Sequence, residues 1–141
     1  MSKTTWLLII LGALIVLGGS GAAVVINSNY NALINKIAHA IAVAERGAAE
    51  IASGNILNNN PGDIEDGAGH LVVYPTLDDG WNALLHQVAL FFGGSAHYNP
   101  TMSINQVAQI YVGTSDWPNW ANNVAAILGV SPDTALNQLQ A

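Results

Sequence analysis

The hydrophobic pattern changes character near residue 30. From Trp6 to Ile26 the chain is almost unbroken Leu, Ile, Val, Ala and Gly, and no charged residue stands between Lys3 and Lys36. About 20 apolar residues cross a hydrocarbon core as a helix, so the pattern predicts a single transmembrane helix within residues 1–28. The small residues Gly19, Ser20, Gly21, Ala22 and Ala23 also suit a signal peptidase. The apolar run exceeds the roughly 7 to 15 residues of a signal core, however, which favours an anchor that is kept. Lys3 would hold the N-terminus on the cytoplasmic side.

From Tyr30 the period becomes helical. Leu33, Ile34, Ile37, Ile41 and Ala44 recur at i, i+3/4 and i+7/8, one buried helix face, and Glu45 continues it four residues after Ile41. Gly47, Gly54 and the asparagine run end that signal, and NNNPGD at 58–63 has turn chemistry: Pro61 fixes one torsion and Gly62 permits positive φ. The segment HLVVY at 70–74 suits a pleated surface, predicting a short two- or three-stranded ribbon around 62–75. Helix returns at 76–93, capped by Thr76, with Asp78 and Asp79 in its first turn and Trp81, Leu84, Leu85, Val88 and Phe92 as its stripe. Ser103 caps a further helix with Ile104, Val107, Ala108 and Tyr111 inward; the loop GTSDWP leads to another at 120–128, ended by Gly129. Ser131 and Pro132 predict a last short helix. The expected fold is mainly α, an anchor at 1–28 followed by a small helical domain at 29–141 with one short β ribbon.

Charge narrows the partners. After residue 28 there are nine acidic residues and only Lys36 and Arg46 to oppose them, a formal charge of −7. Nucleic acid is therefore excluded as a partner, because its binding needs Lys and Arg on phosphates. The chain has no cysteine, which removes disulfides, thiol nucleophiles, Cys-based zinc sites and a lipoprotein anchor. His39, His70, His86 and His97 show no metal-ligand spacing, and no serine sits in a nucleophile elbow, so neither a metal nor a cofactor is implied.

The chemistry-bearing candidate is Glu45. A carboxylate on an apolar face near a helix C-terminus is disfavoured as an anion by desolvation and by the helix dipole, so its pKa rises toward what a general acid needs. The spacing leaves a second reading open, in which Glu45 frays outward beside Arg46. Glu50, beyond the expected helix end, is the weaker candidate.

These residues also carry a resemblance. AlaGlu at 44–45 with Gly47, the turn Asn58-Asn59-Asn60-Pro61-Gly62-Asp63, Gly80-Trp81-Asn82-Ala83-Leu84 and AILGVSPDT at 126–134 resemble, in order and type, the lysozyme-like lytic transglycosylases of phage virions. The similarity runs from about Leu33 to Leu136. It implies an α+β lysozyme-like fold and cleavage of the β-1,4 bond between N-acetylmuramic acid and N-acetylglucosamine in peptidoglycan. Glu45 matches the catalytic acid, which would protonate the glycosidic oxygen and then act as base while the muramic 6-hydroxyl closes on the anomeric carbon. One carboxylate suffices for this, whereas ordinary glycosidases use two.

Were water the acceptor, a second carboxylate should face Glu45, with Asp63 or Asp66 as candidates. Asn58, Asn59 and Asn60 are expected to hydrogen-bond sugar groups or to complete their own turn, and Trp117 and Trp120, in or beside a loop, to stack on sugar faces better than Trp81 or Tyr111. Two positions depart from the family pattern: Arg46 stands where glycine usually follows the glutamate, and Asp63 replaces an asparagine. A cation beside Glu45 would oppose the acid role. The expectation is a membrane-anchored muralytic enzyme of a virion's internal membrane or of a host inner membrane, facing the cell wall, with glycan strands, lipid bilayer and other virion proteins as partners. The rival expectations are a structural virion protein that has lost activity and an endopeptidase acting on the peptide cross-links.

Overall fold

The computed structural model describes residues 6–7, 14–19, 22–27, 30–93 and 95–141. The order is β1 (Trp6–Leu7), β2 (Leu14–Gly19), β3 (Ala22–Asn27), α1 (Asn31–Arg46), α2 (Ala48–Ser53), α3 (Leu77–Phe92), α4 (Ile104–Tyr111) and α5 (Trp117–Leu128). Short 3-10 turns lie at Leu57–Asn59 and Leu136–Gln138. The protein is mainly α.

Where a spanning helix is expected over Trp6–Ile26, the described parts are strands, and residues 8–13 and 20–21 lie outside the described residues. β1, β2 and β3 pair antiparallel in that order, with Leu14 opposite Asn27 and Gly19 opposite Ala22. Ile15 and Val16, then Val24, Val25 and Ile26, favour extended backbone through their β-branches, and Gly18 and Gly19 weaken a helix between them. Among the described residues no helix is long and apolar enough to cross a membrane.

α1 is the central element. It packs on α5 and α3, and α4 packs on α5. Leu33, Ile34, Ile37 and Ile41 are buried as the stripe requires, and Ala38, Ala40 and Ala42 are buried as well, so α1 is covered on more than one side by close neighbours. Opposite it lie Leu84, Val88, Phe91 and Phe92 of α3 and Val124 of α5. Phe91 anchors an aromatic cluster, tilted against Tyr98 at 4.8 Å and edge-on to Tyr111 at 5.9 Å.

The caps behave as the side chains dictate. Thr76 accepts from the Asp79 amide, and Ser103 forms a reciprocal capping box with Gln106. α1 ends at Gly47, whose amide donates to the Val43 carbonyl at 2.8 Å, and the short α2 follows where the pattern reads only a helix end.

Two expected elements shrink. The ribbon is a single bridge, Glu65 to Leu71, with Val72 donating to Ile64 at 2.9 Å. The last helix is a turn over 131–134 followed by the 3-10 turn, because that backbone has other work. The carbonyls of Thr134 and Pro132 accept from Ile104 and Asn105 at 3.2 and 2.9 Å, satisfying amides in the first turn of α4 that no helix can satisfy internally.

Candidate active site

A cleft of about 470 Å³ opens beside the C-terminal end of α1. Its polar wall is Glu45 from α1, Asp63 and Glu65 from the segment after the NNNPGD turn, and Gln87 from α3; Leu71, Ile110, Tyr98 and Tyr111 supply apolar surface. Glu45 reaches it because it stands one turn beyond Ile41 on the inward face, where the core runs out and the cleft begins.

The environment holds the proton on Glu45. Burial pushes its pKa up to about 7, and the negative charge of Asp63 adds to the rise, with Asp116 contributing less. The indole N–H of Trp120 and the Arg46 guanidinium pull the other way. The Trp120 nitrogen does not meet hydrogen-bond geometry with any acceptor among the described residues. It is therefore a weak donor toward the carboxylate, and burial prevails.

Arg46 turns away from Glu45. Its guanidinium forms an ion pair with Asp63 and donates to the carbonyls of Asn60 at 3.2 Å and Leu57 at 3.4 Å. Arg46 and Asp63 thus face each other, and the expected suppression of the acid by Arg46 is outweighed. Burial raises the Asp63 carboxyl while Arg46 lowers it. Asp66 is exposed and outside the cleft lining; it accepts from the amides of Ala68 and His70 at 2.8 and 3.0 Å, which hold it below the usual carboxylate range. Of the two candidate second carboxylates, only Asp63 shares the cleft with Glu45.

The asparagines divide by role. Asn60 is fully buried, and its amide donates to the carbonyls of Ile64 and Val72 at 2.8 and 3.0 Å while its oxygen accepts from Ile64 N at 2.9 Å. Asn59 donates to Tyr74 O at 2.9 Å. Both latch the turn to the strand-like segment rather than presenting amides to a ligand, because backbone groups buried there need partners. Asn58 and Asn59 adopt φ of 59° and 53°, a conformation asparagine tolerates. Of the three, only Asn58 makes no side-chain hydrogen bond among the described residues; none of the three lines the cleft.

The turn is pressed onto α3. A Cβ on Gly80 would lie 1.7 Å from the Asn59 carbonyl oxygen, and one on Gly62 would meet Leu84 at 2.6 Å. Tyr111 closes the other side, its hydroxyl donating to Gly62 O at 3.0 Å; burial, then the charge of Glu45, raises its pKa far above the ordinary value. It is a fixed neutral donor.

The tryptophans require a correction. Pro118 starts α5 at Trp117, three residues earlier than the pattern reads, which places Trp120 a turn inside the helix and on the same face as Val124. Trp120 is 7% exposed and packs on Tyr111 at 5.1 Å. It belongs to the core, and Trp117 is half-buried against that core outside the cleft. Tyr98 and Tyr111 are the aromatic rings on the cleft wall. Glu65 and Gln87 are cleft residues that sequence reasoning missed; the φ of 48° at Asp63 breaks strand periodicity between Asp63 and Glu65, so no local signal marks them. Among the described residues no group of His, Asp and Glu could hold a metal ion.

No protein-family model matches the sequence, and no curated protein and no solved structure matches the chain.

Proposed function

We propose that the protein is a peptidoglycan lytic transglycosylase with a lysozyme-like domain, tethered to lipid by its N-terminal apolar segment and acting as a virion component that opens the cell wall. The observation that carries this reading is Glu45 in a polar-walled cleft with a pKa raised to about 7, which suits a group that must give up a proton and then take one back.

The steps follow from that carboxyl. Protonated Glu45 donates to the glycosidic oxygen as the bond from muramic C1 breaks, and the N-acetylglucosamine hydroxyl leaves. Carboxylate Glu45 then accepts the proton of the muramic 6-hydroxyl as O6 bonds to C1, closing the 1,6-anhydro ring and restoring the acid. Gln87 and the aliphatic side chains of Leu71 and Ile110 offer neutral contacts to sugar hydroxyls and faces.

The apolar N-terminal segment supports a lipid partner. An open three-stranded sheet leaves edge backbone groups unpaired, which hydrocarbon does not tolerate, so the same residues would enter a bilayer as a helix. Flotation with vesicles, accompanied by a gain of helical circular dichroism, tests the tether.

The activity test is incubation of the full-length chain in detergent with purified peptidoglycan. Anhydro-muramic ends, lost in Glu45→Gln, are expected. Reducing ends would assign hydrolysis, new amino groups would assign peptidase action, and no product from the native chain would leave a structural virion protein.

A further inference from the structure

Arg46 and Asp63 form the one ion pair between full charges among the described residues, and they lie at the junction of the cleft and the turn. The side chain of Arg46 is only 9% exposed and that of Asp63 29%. Besides the pair, Arg46 bonds two carbonyls of the turn, Leu57 and Asn60, so one guanidinium ties the end of α1 to three points of the segment 57–63. Asp63 has φ of 48°, an uncommon conformation for a residue other than glycine, and it lines the cleft beside Glu45. Arg46 follows Glu45 in sequence yet does not line the cleft.

We propose that the Arg46–Asp63 pair is an oriented positioning device, which clamps the 57–63 turn to α1 and fixes a negative charge on the cleft wall next to Glu45. The proposal deepens the reading of Glu45 as the acid and rests on it for its catalytic meaning. The pair is neutral as a whole, but its carboxylate end faces the cleft and its guanidinium end faces the turn. Glu45 therefore feels Asp63 more than Arg46. The other titratable groups around Glu45 are Tyr111 of α4 and Tyr98 of the loop after α3, both held neutral by burial, Asp116 at the start of α5, and Glu65 farther along the cleft wall. None of these is clamped by a cation, so the pair is the arrangement that sets charge at a fixed place.

The two partners make opposite predictions. Asp63→Asn keeps an oxygen for Arg46 and removes the negative end, so the Glu45 titration moves down by about one pH unit, the low end of what a neighbouring charge does. Arg46→Gln removes the positive end and moves it up. The experiment is an NMR titration of the Glu45 side-chain carboxyl in the full-length chain in detergent micelles, with native, Asp63→Asn, Arg46→Gln and doubly substituted chains, each checked for folding by near-UV circular dichroism. Shifts of opposite sign in the single variants, with the double variant between them and below native, support the device. Shifts of the same sign, or none in folded Asp63→Asn, overturn it. The titration needs no turnover: opposite shifts in a chain that cleaves no glycan would sink the enzymatic reading alone, and cleavage without such shifts would sink the device alone.

Discussion

Replacing Gly80 by alanine tests the contact that seats the turn on α3. The added methyl would stand 1.7 Å from the Asn59 carbonyl oxygen, 2.9 Å from its carbon and 3.0 Å from Pro61 Cδ. An ordinary carbon–oxygen contact is about 3.3 Å, so the turn must retreat by about 1.6 Å. The obstacle is backbone, which cannot rotate aside as a side chain does. Overpacking of this kind costs about 1 to 3 kcal/mol, and the retreat strains the bonds from Asn59 to Tyr74 O and from Tyr74 N to Asn58 O, each worth about 1 kcal/mol. Alanine returns about 1 kcal/mol in helix propensity. The net loss is about 3 kcal/mol, or about 10 to 15 °C in Tm for a domain of this size. Thermal melts of Gly80→Ala and of Gly67→Ala, where nothing stands within 4 Å of the new methyl, measure the difference. A Gly80→Ala chain melting within 2 °C or so of native would refute the reasoning. So would equal losses in the two variants.

Two further outcomes follow from the site. The folded chain holds the Glu45 proton to about pH 7 and the unfolded chain releases it near 4.5, so the contribution of Glu45 is full below 4.5 and is lost as pH rises through 7. The full difference is about 3 kcal/mol, reduced to about 2 by water in the open cleft; urea melts should show Glu45→Gln gaining that much on native between pH 4.5 and pH 8, while activity falls above pH 7 and is absent in the variant. Asn60→Ala strands the amide of Ile64 and the carbonyls of Ile64 and Val72, costing about 3 kcal/mol. Faster hydrogen exchange at Ile64 than in α1 is the local sign, and unchanged exchange there would show that Asn60 is not the latch.

What the sequence alone could reach was whatever depends on neighbours in the chain. The stripe of α1, the caps at Thr76 and Ser103 and the stop at Gly129 follow from side chains within a turn or two of one another. The inward direction of Glu45 was legible because four residues make about one helical turn. The same logic decides less where a local signal has two outcomes. An apolar run of β-branched residues and glycines reads as a spanning helix by length and as strands by propensity, and Trp120 reads as the first residue of its helix, beside a loop, until Pro118 is seen to begin α5 at Trp117.

Tertiary structure decided what lies across the cleft. Arg46 beside Glu45 in sequence looks like a cation that would ionise it; folded, it is spent on Asp63 and on turn carbonyls 11 and 14 residues away. Asn60 resembles a sugar ligand until its amide is found filled by Ile64 and Val72. Glu65 and Gln87, remote from Glu45 in the chain, share its cleft once the turn is seated on α3 at Gly80. Periodicity fixes which way a side chain points, but its charge state depends on burial and on charges brought from elsewhere, and those distances exist only once the chain has closed on itself.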